Sequence, residues 1–144
     1  MSQSAPESAM REALSPRLPG IARCLYEISA IKVRLRLGGF RPTLRYVASD
    51  LADCSPPPDP AAFADETARQ VALAGALYPA RARCLEQALT LCRLLRRRGI
   101  DAHVRLGVQP YRFRAHAWVE FRGVPINEPG DGISGLAVLP DIQL

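Results

Sequence analysis

At 144 residues, 48% hydrophobic and 23% charged, the chain has the composition of one globular domain, with or without a helical N-terminal extension, and is long enough to bury a core. No run of 18 apolar residues is present and the opening M-S-Q-S-A-P-E-S is polar, so neither a transmembrane helix nor a secretory signal is expected; the expected compartment is the cytoplasm, with no membrane partner. The net charge of +5 is almost all arginine, Lys32 being the single lysine, which favours acidic partners without choosing among peptide, protein and nucleic acid.

Residues 1–20, with Pro6, Pro16, Pro19 and Gly20, read as an arm. From Ile21 to Leu37, Cys24, Ile28, Ile31 and Leu35 recur at helical spacing, Leu25 widens the stripe, and Gly38-Gly39 supplies the stop. Lys32, Arg34 and Arg36 fall off that stripe. They form either a solvated face or a docking surface for an acidic partner. Pro42 disfavours helix at Arg41 and suits a new start, so a short helix is expected over 43–53, with Leu44, Val47, Ala48 and Leu51 on one side. The run Ser55-Pro56-Pro57-Pro58-Asp59-Pro60 is a rigid connector. It places the boundary between an N-terminal part (1–58) and a chemical core (59–144).

Ala61 to Leu77 is an alanine-rich helix ended by Tyr78-Pro79. Arg83 to Arg98 is the central helix. Its stripe is Cys84, Ala88, Leu91, Cys92 and Leu95, and Arg96-Arg97-Arg98-Gly99 is a C-terminal signature. The period then changes to two. Ala102, Val104, Leu106 and Val108 alternate with His103, Arg105, Gly107 and Gln109; after a turn at Pro110-Tyr111, Phe113, Ala115, Ala117, Val119 and Phe121 do the same. Arg122-Gly123 reads as a hairpin turn and Val124 to Asn127 as a third strand. Helices followed by an antiparallel meander define an α+β domain.

Of the four cysteines, Cys84 and Cys92 share one helix about 12 Å apart, too far for a disulfide, which needs Cα atoms within about 7 Å. No C-x-x-C or H-x-x-x-H spacing indicates a metal site. Cys84 is the candidate nucleophile. Pro79 and the period that begins at Cys84 put its sulfur at a helix N-terminus, where unpaired N–H groups favour a thiolate and its own N–H could serve as half of an oxyanion hole. Gln87, one turn on, is a candidate second donor. His116, between two alanines and on the strand face of Trp118, is the candidate base; His103 is its competitor, read as structural. Glu128, with Asn127 and Asp131 as alternatives, is the candidate to hold the imidazole. Each residue also has a plain reading, a small buried thiol, a packed imidazole and an exposed carboxylate.

The pattern R-C-L-x-x-A-L-x-L-x-x-L-L-R-R-R-G, followed by A-H-A-W-V-E-x-x-G-x-P-I-N, resembles the transglutaminase-like cysteine proteases of lasso-peptide biosynthesis, closely over 79–131 and loosely in the N-terminal helices. The resemblance implies a transglutaminase or papain-like core, with the N-terminal cysteine of the central helix packed on an antiparallel sheet. It also implies a cysteine–histidine–aspartate triad falling on Cys84, His116 and position 128. That position is glutamate here, one methylene longer, so Asp131 and Asn127 stay open as its substitutes. The implied reaction is removal of a leader peptide from a lasso precursor through an acyl-enzyme, without a cofactor. The implied partners are the precursor leader, a separate leader-binding protein and a lasso cyclase; the residues Lys32, Arg34 and Arg36 are candidates for docking them. Nucleic acid is not an expected partner, the basic residues being dispersed and no aromatic-basic module present. Acyl transfer on the same triad and a non-catalytic module binding an acidic peptide or protein are the competing readings.

Overall fold

The computed structural model describes residues 20–49, 55–80, 82–111, 113–126 and 133–139. Among the described residues, four helices precede a four-stranded antiparallel sheet: α1 (Gly20–Leu37), α2 (Phe40–Ala48), α3 (Pro60–Leu77), α4 (Cys84–Arg96), β1 (Ala102–Gln109), β2 (Arg114–Phe121), β3 (Val124–Pro125) and β4 (Ala137–Val138). No helix among the described residues is long and apolar enough to cross a membrane.

The apolar spacing of α1 works as expected: Cys24, Ile28 and Ile31 are fully buried. α2 begins earlier than the expected 43, and Arg41 is helical although it precedes proline. Pro42 lies in the first turn, where a missing N–H removes no intrahelical bond. The Thr43 hydroxyl donates to the Gly39 carbonyl (2.8 Å) across this start. Leu51 lies outside the described residues. α3 is capped by Asp59, whose Oδ1 accepts from the Ala62 N–H (3.0 Å), with Pro60 as its first residue.

The strand order is β3-β2-β1-β4. β1 and β2 pair along their whole length, Val104 opposite Val119 and Gly107 opposite His116. Arg122 and Gly123 both adopt positive φ (53° and 75°), the conformation a two-residue hairpin loop requires. The third strand is shorter than expected, but the Ile126 N–H still donates to the Val119 carbonyl (2.8 Å). β4, which the alternation did not reveal, pairs with β1 at Gly107 and Val108. Leu136, just before β4, and the Trp118 ring lie against Gly107, which is buried rather than on the expected polar side. Phe113 and Ala115 are exposed, and β2 starts after Phe113.

α4 is the centre of the fold. It packs on β1 and β2 with one side and on α1, α2 and α3 with the rest. From Ala88 to Arg96 every residue is buried, Thr90, Arg93 and Arg96 included, where the sequence shows a one-sided stripe. The buried cations have partners. Glu27 of α1, itself fully buried, takes Arg23 on Oε1 (2.8 Å) and Arg93 Nε on Oε2 (3.3 Å), with Arg97 at 3.6 Å. Arg93 also donates to the Tyr46 carbonyl (2.9 Å) and lies over the Tyr46 ring, with Arg34 stacked on that ring as well. Arg96 reaches Asp101 and the Ala102 carbonyl, both at 3.3 Å. One continuous core thus draws on α1 and α2 as well as on α3, α4 and the sheet.

The same burial corrects the reading of Lys32. It does not share the solvated face with Arg34 and Arg36: it is 9% exposed, its Nζ is 3.6 Å from Glu86 Oε2 and 4.6 Å above the Tyr78 ring. Helical rotation turns it towards the start of α4, while Arg34 and Arg36 remain exposed.

Candidate active site

The turn at Tyr78–Ala80 returns the chain so that α4 starts beside the end of α3. The Ala82 N–H donates to the Gly75 carbonyl (3.3 Å). Arg83 is extended (φ −74°, ψ 164°) and precedes the first helical residue, Cys84. Glu86, in the first turn of α4, accepts from the Arg83 N–H (2.7 Å), the carboxylate half of a capping box. The helix therefore begins at the cysteine, and its first N–H groups have no acceptor within the helix. Gln87 is held from two sides. Its Nε2 donates to the Ala82 carbonyl (2.9 Å), and its amide lies against Gly75, where a Cβ would stand 2.7 Å from Nε2.

Cys84 is exposed and lines a cavity of about 230 Å³ shared with Gln87, with Val71 of α3, and with His116, Trp118 and Ile126. The cavity brings together the two residues singled out as nucleophile and base, 32 positions apart in the chain. His103 is elsewhere: its Nε2 is 3.3 Å from Asp101 Oδ2, and it borders a separate hollow beside Pro56 and Phe121. Glu128, Asn127 and Asp131 lie outside the described residues, though Ile126, which precedes Asn127, is in the cavity wall.

The sequence did not single out what supports the histidine. His116, Trp118 and Glu120 share one face of β2. The Trp118 ring is nearly parallel to the imidazole (19°), their centroids 6.2 Å apart. The indole N–H donates to Glu120 Oε1 (3.1 Å), and Arg105, which stands opposite Trp118 on β1, donates diagonally to Glu120 Oε2 (3.1 Å). Trp118 is 2% exposed and packs over Gly107, whose missing side chain leaves room for the ring. The only local signal was the alternation H-x-W-x-E; its meaning depends on which residue of β1 stands opposite.

The other described thiols differ in kind. Burial pushes the Cys24 thiol from 9.0 up to about 11, with Glu27 adding to the effect, and the Cys92 thiol up to about 12 despite the nearby Arg96 cation. Cys92 donates to the Ala102 carbonyl (3.3 Å). Both are core residues, whereas Cys84 meets solvent. No cluster of three or more histidine, cysteine or acidic side chains suited to a metal ion occurs among the described residues.

A family model, the transglutaminase-like superfamily, matches residues 30–140, from within α1 through Cys84 and His116 to beyond β4. Among curated proteins, the chain is 39% identical over 59 residues to the microcin J25-processing protein McjB of Escherichia coli. That stretch is 41% of this chain and only 28% of the relative. No solved structure gives a significant match.

Proposed function

The chain belongs to the transglutaminase-like superfamily, and from that premise we propose that it is a cysteine peptidase that frees a lasso-type peptide from its leader. The observation that carries this reading is the shared cavity, with an exposed thiol at the first residue of α4 and an imidazole on β2 in one wall. The similarity to a microcin-processing protein supports the substrate class.

In this mechanism His116 takes the Cys84 proton and the sulfur attacks the scissile carbonyl, forming a C–S bond. The oxyanion is met by the Cys84 N–H and by the second N–H of the Gln87 amide. Collapse breaks the C–N bond as His116 protonates the departing amine. A water, deprotonated by His116, then attacks the thioester; the C–S bond breaks and the leader leaves with a free carboxylate. Trp118 and Glu120 position the ring of His116. Glu128 orients the imidazole, a role Asp131 or Asn127 would take in its place. The division at 58/59 is then one of labour on a shared core. The N-terminal helices dock a leader-binding protein that works with the cyclase, through Arg34 and Arg36, and residues 59–144 carry the chemistry. Lys32, being buried, serves that division by holding α1 to the start of α4.

The test is cleavage of a synthetic leader-bearing precursor, with and without its leader-binding protein. Cys84→Ala should lose at least about 10³-fold in rate with unchanged circular dichroism. Wild-type cleavage should yield a free acid rather than an amine adduct. Undiminished cleavage by the alanine variant would reject the mechanism.

A further inference from the structure

The whole net charge of the protein is concentrated in 30 residues. Residues 20–49 contain six cationic side chains and one carboxylate, Glu27, and in the rest of the chain the two signs balance. Glu27 is fully buried, so the visible face of α1 and α2 presents cations alone. Between these cations lies an apolar stripe. Tyr26, Val33 and Leu37, 62%, 54% and 85% exposed, recur with Ala30 along the outer side of α1, opposite the face that fills the core. The stripe is about 16 Å long, three helical turns. With Pro42 and Thr43 of α2 it forms an open groove of about 640 Å³. Arg34 borders it, held in place by stacking on Tyr46 at 3.6 Å; Arg36 lies on the other flank of the stripe, and Arg41 and Arg45 flank Pro42 on α2.

A helix that is apolar on two opposite faces has a second face to cover. The arginine-only rim states the chemistry of the cover. We infer that the α1–α2 groove docks an amphipathic helix of a protein partner whose apolar residues recur every three or four positions and whose flanks are acidic. The apolar floor supplies the contact, and the arginines supply register and rate of encounter. A nucleic acid would use the cations but leave Val33 and Leu37 uncovered. The inference deepens the peptidase reading, since the partner would be the one that brings the substrate, and it rests on that reading to that extent.

The test uses the full chain and no cleavage. The probe is a fluorescein-labelled peptide of about 18 residues with leucines at helical spacing and glutamates on the flanks, beside a scrambled peptide of equal composition. Fluorescence anisotropy should show saturable binding to the wild type that weakens several-fold between about 50 and about 300 mM salt, and weaker binding of the scramble. Val33→Glu should bind at least about 10-fold more weakly, Arg41→Glu/Arg45→Glu should bind weakly with little remaining salt dependence, and Arg122→Glu on the distant hairpin should match wild type. Cys84→Ala should bind normally, so a failed peptidase reading and a failed docking reading give different results. Absent or unselective binding, or a Val33→Glu variant that binds like wild type, overturns the proposal. So does tighter binding of a duplex oligonucleotide. A wild-type dimer abolished by Val33→Glu in sedimentation would assign the groove to a second copy. A melting temperature lowered by Val33→Glu in a chain that ignores the peptide would assign it to the chain's own terminal segment. Either result would overturn the proposal.

Discussion

Replacing Gly107 by alanine puts a methyl group into contact on both sides. A Cβ at this position would stand 2.9 Å from Cβ of Leu136 and 2.9 and 3.0 Å from two carbons of the Trp118 ring. Carbon atoms in contact prefer about 3.5–4.0 Å, so one neighbour must yield. The indole is 2% exposed and tied to Glu120, so its displacement loosens that bond as well as the packing. Overpacking of this kind costs about 1–3 kcal/mol; alanine recovers some of it by lowering the entropy of the unfolded chain. The net loss should be about 1–2 kcal/mol, a fall of roughly 3–8 °C in a domain of this size. Trp118 is the only tryptophan, so the fluorescence of the native protein reports this ring alone, and its emission should shift. Precursor cleavage should fall at least about 10-fold, because the same ring lies along His116. A Gly107→Ala protein with wild-type melting and unchanged emission would refute the packing argument.

Iodoacetamide at neutral pH should label Cys84 in a Cys54→Ser background while Cys24 and Cys92 react only after unfolding, which peptide mapping would read directly. Because the fold holds the Cys24 and Cys92 thiols neutral, their contribution is complete below about pH 8 and is lost as pH rises through 9 towards 11 and 12. At pH 10 the loss is on the order of 1 kcal/mol each, and Cys92→Ala should flatten the alkaline slope of stability measured by urea unfolding. Glu27→Ala leaves Arg93 buried without its carboxylate and should cost about 3–5 kcal/mol; a loss under about 1 kcal/mol would show that the Tyr46 contacts suffice for that cation.

Elements that depend on near neighbours were legible in the residue pattern. Helical spacing placed α1, α3 and α4, the break at Pro79 put Cys84 at a helix start, and a period of two put His116 and Trp118 on one strand face. These features rest on backbone geometry repeated every two or three to four residues, and local pattern records it. What covers an element's second face is supplied by residues far along the chain, and local pattern does not hold it. The tertiary structure alone therefore decided that α4 is buried on every side, that Lys32 points inward to Glu86, and that β4 and the Gly107 register enclose Trp118. It also decided that Cys84 and His116 share a cavity, since a thiol and an imidazole 32 residues apart meet only when the sheet packs against the helix that carries the sulfur.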